Sequence, residues 1–243
     1  MEDDDQLERV CADAWPAVVD QPLGQWRLRA AGGFTGRANS ALTIGDPGVP
    51  VGAALPEVVA FARRNGIRPA AHVVTGAPVE SALAVAGWRV DDHHPGGAES
   101  TVLTGPLTED AAPDGVAVLD APPPGWWPLA VGTAEPTPAQ HRVLAGMAGL
   151  GFGTATLAGE VIGIVRGAVV GDLLHVARLA VAPAHRRRGL ATGLLAALGT
   201  WAGKRGARRC VLQVATHNED ALSLYRRLDC RPHHRYRYWI PAG

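Results

Sequence analysis

The stretch from Asp172 to Gly203, DLLHVARLAVAPAHRRRGLATGLLAALGTWAG, changes its apolar period halfway along, across three consecutive arginines and a glycine. Ahead of Pro183 it is aliphatic and bounded by Gly171 and Pro183, as a strand is. Beyond it, Leu190, Leu194, Leu195, Leu198 and Trp201 fall at helical spacing on one face, and Gly203 and Gly206 stand where a helix stops. The pattern predicts a strand, a basic turn and a helix of about four turns starting at Gly189. A strand feeding directly into such a helix places the chain among layered α/β or α+β folds.

The turn has its own chemistry. The first N–H groups of a helix have no internal partner, and the helix dipole is positive there. Gly189 lets the backbone approach a bulky anion, Ala191 keeps the first helical turn uncrowded, and Arg186, Arg187 and Arg188 add charge-assisted donors. On charge alone a solvated basic turn explains the run equally well; the strand before it and the helix after it favour a phosphate site.

Around this unit the second half of the chain reads as an antiparallel meander, with strands over 153–157, 161–169 and 172–181. A short buried strand follows at 210–215, CVLQVA, then a helix, THNEDALSLYRRL, in which Thr216 and Glu219 have capping-box spacing. HHRYRYWIP alternates and is expected to be an edge strand closed by Pro241. Residues 64–90 repeat the layout of 204–232: Gly66 falls opposite Gly206, Val74 opposite Val214, and Gly87-Trp88 opposite Asp229-Cys230, as an internal duplication would leave them. The Pro-, Gly- and acid-rich segment 105–127 reads as a linker, giving domains 1–112 and 113–243.

The formal net charge of zero conceals an asymmetry. Residues 1–121 hold 17 acidic against 8 basic residues, a net of −9, and residues 122–243 hold 6 against 15, a net of +9. Two oppositely charged domains docking together would account for it, and so would an anionic ligand on the second half with a cationic one near the first.

Arg186-x-x-Gly189-x-Ala191, preceded by LAVAP and followed by an apolar helix, resembles the acyl-CoA diphosphate loop of the GCN5-related N-acetyltransferases, or GNAT superfamily, and NEDALSLYRRL resembles that family's Asn-x-x-Ala-x-x-x-Tyr helix. The likeness is strong over residues 150–240; WRLRAAGGFTGRANSA and FARRNGIRP resemble two-domain members with a degenerate first copy. The resemblance implies tandem GNAT-like domains, each a mixed, mostly antiparallel twisted sheet flanked by helices. It implies acetyl-CoA as cosubstrate, held by the backbone of Leu179, Ala180 and Val181, by the loop Arg186, Arg187, Arg188, Gly189, Leu190, Ala191 and Thr192, and by Asn218 and Tyr225. Tyr225 matches the family's general acid, and His175, on the strand leading to the loop, is the candidate base. Asn218 and Tyr225 are two helical turns apart, though Asn218 could serve only as a helix cap. The first copy has GDPGVPVGAALPEVV in place of the loop, without arginine and with prolines that remove amide donors, so it should not hold CoA. Asp229-Cys230 stands where the family has Gly-Phe, so a reshaped turn is expected after Leu228.

The expected reaction is direct attack of a primary amine on the thioester, the acceptor being a small molecule, a peptide or protein N-terminus, or a lysine. A non-catalytic acyl-CoA sensor and a pure interaction protein are the competing readings. Three cysteines without CxxC spacing give neither a disulfide framework nor a zinc knuckle. His93-His94 and His233-His234 are adjacent pairs on strands that should point to opposite faces, so no metal is expected. No apolar run has membrane-span length and MEDDDQLERV is acidic where a secretory signal is basic, so the chain reads as cytoplasmic. RYRYW is too short a basic-aromatic edge for a nucleic-acid surface, which leaves at most an RNA- or ribosome-associated acceptor.

Overall fold

The computed structural model describes residues 3–108, 110–111 and 113–242. It divides into two compact units, and the division is not a single cut near 112: residues 1–103, 214–223 and 232–243 form the first unit, 104–213 and 224–231 the second. The C-terminal strand therefore belongs with the N-terminal half.

The first unit contains helix α1 (Asp4–Asp13), strands β1 (Val19–Leu23), β2 (Trp26–Ala30) and β3 (Ala41–Leu42), helix α2 (Val51–Arg64), strand β4 (Ala71–Val74), helix α3 (Val79–Val85) and strands β5 (Trp88–Val90) and β6 (Glu99–Pro106). Its last strand, β12 (Arg231–Pro241), lies between β4 and β6, while β1, β2 and β3 continue outward from β4. HHRYRYWIP is thus an interior strand, correcting the expectation of an edge. Tyr236 to Trp239 pair antiparallel with Val74 to Ala71, and Tyr236, Tyr238, Trp239 and Ile240 are buried, because the strand is hydrogen-bonded on both sides. Trp26, Leu28, Leu55, Val58, Phe61, Val73, Leu83 and Trp88 make the core beneath α2 and α3.

The second unit begins with β7 (Val116–Leu119), α4 (Trp126–Val131) and α5 (Pro138–Ala145), the last opened by a capping box between Thr137 and Gln140. The predicted meander is present: β8 (Leu150–Leu157), β9 (Glu160–Val170) and β10 (Leu173–Val181) pair antiparallel in turn, with β7 added outside β8. Then come α6 (Leu190–Gly203) and β11 (Arg209–Ala215), parallel to β10; of α7 (Glu219–Arg227), residues to 223 fall in the first unit and the rest in the second. Glycine lets α6 sit close on the sheet. A Cβ on Gly151 would lie 2.8–2.9 Å from three ring atoms of Trp201, and one on Gly167 would lie 2.8 Å from Leu198. The large side chains of α6 rest in that glycine-lined floor.

Some features compared between the two halves recur in the backbone. α2 and α6 both have 14 residues, each followed by a glycine of positive φ, Gly66 at 61° and Gly206 at 91°. At the ends of α3 and α7 the left-handed position is taken by Gly87 (φ 76°) and by Asp229 (φ 57°). The turn after Leu228 is therefore not reshaped: Asp229 adopts the conformation a glycine would.

Candidate active site

In the second unit the parallel ladder between β10 and β11 runs from Leu173–Arg209 to Val176–Leu212 and stops. At that level β10 carries a bulge. Its register on β9 shifts between Ala177 and Ala180, with Arg178 at φ 55°, and then resumes at Ala180–Ile164 and Val181–Gly163. Ala180 and Val181 thus keep β9 on one edge while the regular pairing with β11 has ended on the other. Unpaired strand edges of this kind can bond an extended, amide-bearing ligand.

Eight residues after Val181, Gly189 precedes α6 with φ 77° and ψ −3°, and Arg187 also has positive φ, 61°. The first intrahelical bond runs from Gly193 N–H to the Gly189 carbonyl at 3.0 Å, and no side chain caps the helix. The N–H groups of Leu190, Ala191 and Thr192 are left for an external acceptor. Arg186, Arg187, Arg188 and Gly189 are exposed. Arg186 already has a task in the protein: its Nε donates to the Val181 carbonyl at 3.1 Å, bracing the loop against the end of β10.

Tyr225 is 6% exposed and lines a small, mostly apolar cavity with Leu174, Val176, Leu195, Leu212 and Leu228. Burial pushes its phenol well above the ordinary value of 10, so it holds its proton throughout the neutral range. Cys210 and Cys230 line the same cavity with Sγ atoms 3.9 Å apart, a proximity that their spacing in sequence did not announce. Cys210 Sγ also lies 3.4 Å from the Pro106 carbonyl. Its thiol is pushed strongly up by the neighbouring Cys230 and by burial.

Two expected residues stand elsewhere. His175 is fully buried on the regular part of β10, between Leu174 and Val176, both of which line the cavity beside Tyr225. By strand alternation its side chain belongs to the face opposite that of Leu174 and Val176. Asn218 Oδ1 accepts from Ala221 N–H at 3.2 Å and thereby caps α7. Thr216, expected to open the capping box, instead donates its hydroxyl to the Glu99 carbonyl at 3.2 Å.

The first unit lacks the basic loop: α2 starts after Pro50, with no arginine in the turn. It holds instead a buried charged cluster that periodicity did not reveal. Glu8 accepts from His234 Nε2 at 2.9 Å and lies 3.2 Å from His72 Nε2, with Glu8 and His72 each 1% exposed. Burial opposes the charge on Glu8, yet His72 and His234 together hold its carboxyl far below the usual range. His72 is pushed down by burial against the pull of Glu8. Arg29, also buried, is lowered to about 10 by desolvation and donates to the Ser40 carbonyl and hydroxyl at 3.4 Å each. The only sequence signal was the position of a Glu on the apolar face of α1.

Comparison with known proteins agrees with this architecture. A family model described as probable histone acetyltransferase Rv0428c C-terminal matches residues 5–239. A protein of Bacillus subtilis (strain 168) named uncharacterized N-acetyltransferase YobR is 28% identical, over 98% of this chain and 99% of its own. Among solved structures, a GCN5-related N-acetyltransferase from Kribbella flavida superposes with a TM-score of 0.66 at 18% identity, covering 100% of this chain and 97% of that one. A tandem GNAT protein from the clavulanic acid biosynthesis pathway gives 0.56 at 17% identity, over 78% and 70%. Among the described residues no helix is long and apolar enough to cross a membrane.

Proposed function

The chain belongs to the Rv0428c C-terminal family of the GCN5-related N-acetyltransferases, and we propose that it transfers an acetyl group from acetyl-CoA directly to a primary amine. The observation that carries this reading is the conjunction, within the second unit, of a strand edge released after Val176 and an uncapped helix N-terminus behind Gly189. A ligand that is amide-bearing along its arm and anionic at its diphosphate matches both features. The backbone of Leu179, Ala180 and Val181 would bond the pantetheine amides. The N–H groups of Leu190, Ala191 and Thr192, with Arg187 and Arg188, would bond the diphosphate, and Arg186 would hold the loop in shape.

In the transfer the amine nitrogen attacks the thioester carbon, the C–N bond forms, and the C–S bond breaks. Tyr225 would give its phenolic proton to the departing sulfur, the role of the general acid. The proton lost by the amine passes to solvent. The direct attack uses no acyl-cysteine intermediate. The acidic excess of residues 1–121 favours a cationic acceptor, such as a lysine-rich peptide or a polyamine, and the histone acetyltransferase description of the matched family points the same way.

Calorimetric titration with CoA and acetyl-CoA, followed by thiol release with a panel of peptides and polyamines, tests the reading. Tight binding of both, lost in the Arg187→Ala/Arg188→Ala double variant, and thiol release on adding a cationic amine are expected. Binding without turnover on any amine would move the assignment to a sensor. Failure to bind CoA at all would remove the acyl-transfer reading.

A further inference from the structure

We propose that Asp4, His233 and His234 of the first unit form a binding site for a transition-metal ion of the zinc class, backed by Glu8. Three donor atoms converge there: His233 Nδ1 lies 3.0 Å from His234 Nδ1 and 3.1 Å from Asp4 Oδ1, and His234 Nδ1 lies 3.5 Å from the same oxygen. Ligands bound at about 2.0–2.1 Å around tetrahedral zinc stand about 3.3 Å from one another. The triangle has that size, so an ion can enter with little movement of its ligands.

His234 donates its Nε2–H to Glu8, a buried acceptor, so in its neutral form the Nδ1 carries a lone pair. Asp4 offers only acceptors when ionised. A divalent cation can take a lone pair from each of the three atoms. The pairing of His234 with a buried carboxylate is the arrangement that fixes the tautomer of metal-binding histidines. In charge, two neutral imidazoles and Asp4 leave a bound divalent ion at +1, and Glu8 beside them brings the group to neutrality.

Adjacent histidines on a regular strand would diverge, which was the ground for expecting no metal. Both histidines lie within β12, ahead of Tyr236 where its ladder with β4 begins, and their Nδ1 atoms nevertheless stand 3.0 Å apart, which a simple alternation of faces does not anticipate. His234 is 5% exposed, His233 14% and Asp4 44%, so an ion can reach the cluster from the Asp4 side. The site clamps the first turn of α1 to β12 and is independent of the acyl-transfer proposal.

The test uses the full chain, reduced and stripped with a chelator, titrated with Co(II) and then Zn(II). One equivalent of Co(II) should give visible ligand-field bands of four-coordinate intensity, bleached by Zn(II), and Zn(II) should raise the melting temperature. His233→Ala and Asp4→Asn, both at the rim, should keep the metal-free melting temperature and lower Co(II) affinity at least about tenfold. Cys210→Ser and Cys230→Ser should leave the spectrum unchanged. The proposal is overturned by absence of both the bands and the melting shift at millimolar metal. It is equally overturned by binding that survives both rim substitutions, or by binding that disappears with either cysteine.

Discussion

Replacing Gly151 by alanine sets two opposing effects against each other, and the structure decides the sign. In a strand, alanine gains about 0.5–1 kcal/mol over glycine through lower unfolded-state entropy. Against this, the added Cβ would sit 2.8–2.9 Å from the Cε2, Cδ2 and Cζ2 atoms of Trp201, a rigid ring only 8% exposed. The ring is also held from elsewhere: the Arg205 guanidinium stacks on it at 4.4 Å and bonds the Trp201 carbonyl. Overpacking of a fixed side chain costs about 1–3 kcal/mol, so the net loss should be about 1–2 kcal/mol. For a chain of this length that lowers the melting temperature by about 3–6 °C, measurable by calorimetry or circular dichroism. Because the clash lifts α6 from its floor, the CoA dissociation constant, read in the same protein, should also rise. Gly52→Ala is the control, since no heavy atom lies within 4 Å of its added Cβ and the residue is helical, and it should be neutral or slightly stabilising. A Gly151→Ala protein as stable as the parent, with unchanged CoA affinity, would refute the idea that glycine sets the seat of this helix.

Three further outcomes follow. Asp229→Gly, at φ 57°, relieves a left-handed non-glycine conformation and should raise stability by about 0.5–1 kcal/mol, seen as a higher urea midpoint with unchanged slope. Tyr225→Phe should lower acetyl transfer by about 10²–10⁴-fold while CoA affinity is retained, and the parent should show no descending limb from this group in its pH–rate profile below pH 10. The folded phenol is raised above its ordinary value of 10, so the stability it contributes is present below pH 10 and is lost as pH climbs toward the folded value; Tyr225→Phe should reduce that alkaline loss. The Arg187→Ala/Arg188→Ala variant should weaken CoA binding by about tenfold or more per lost bond and flatten its salt dependence, with thermal stability unchanged because both side chains are exposed.

What the sequence made legible were features decided within one or two turns of chain. The period change at Pro183, the glycine before α6 and the meander of β8 to β10 are local, and each stands within a few residues of its expected place. What escaped were features decided by partners distant in sequence. HHRYRYWIP alternates as an edge strand does, and only its insertion between β4 and β6 makes it interior. Glu8 meets His72 and His234 across 64 and 226 residues, and no spacing rule reaches so far. Cys210 and Cys230 are separated by a strand end and a helix, so their contact depends on where α7 returns. His175 raises a different point. A gapless count along the strand gives its position but not its face, and the bulge at Ala177–Ala180 resets the parity between it and the loop.

The duplicated layout explains why backbone and chemistry part company in this chain. Both copies keep a 14-residue helix, a left-handed glycine after it, and a second left-handed position that closes the following helix. These are demands of chain geometry, and they persist even where an aspartate must meet one of them. The ligand chemistry depends on far fewer residues. In one copy the helix is entered through Arg187, Arg188 and an uncapped glycine turn; in the other it is entered through Pro50, which offers no donor and no charge. Transplanting the residues Ala184 to Gly189 in place of the residues before Val51 would therefore test how much of anion binding the backbone already supplies. If the repeat has preserved the geometry, the grafted first copy should gain measurable CoA or diphosphate affinity in a chain whose own loop has been neutralised. If affinity stays absent with the fold intact, the released strand edge beyond Val176, and not the helix terminus, is what selects the ligand.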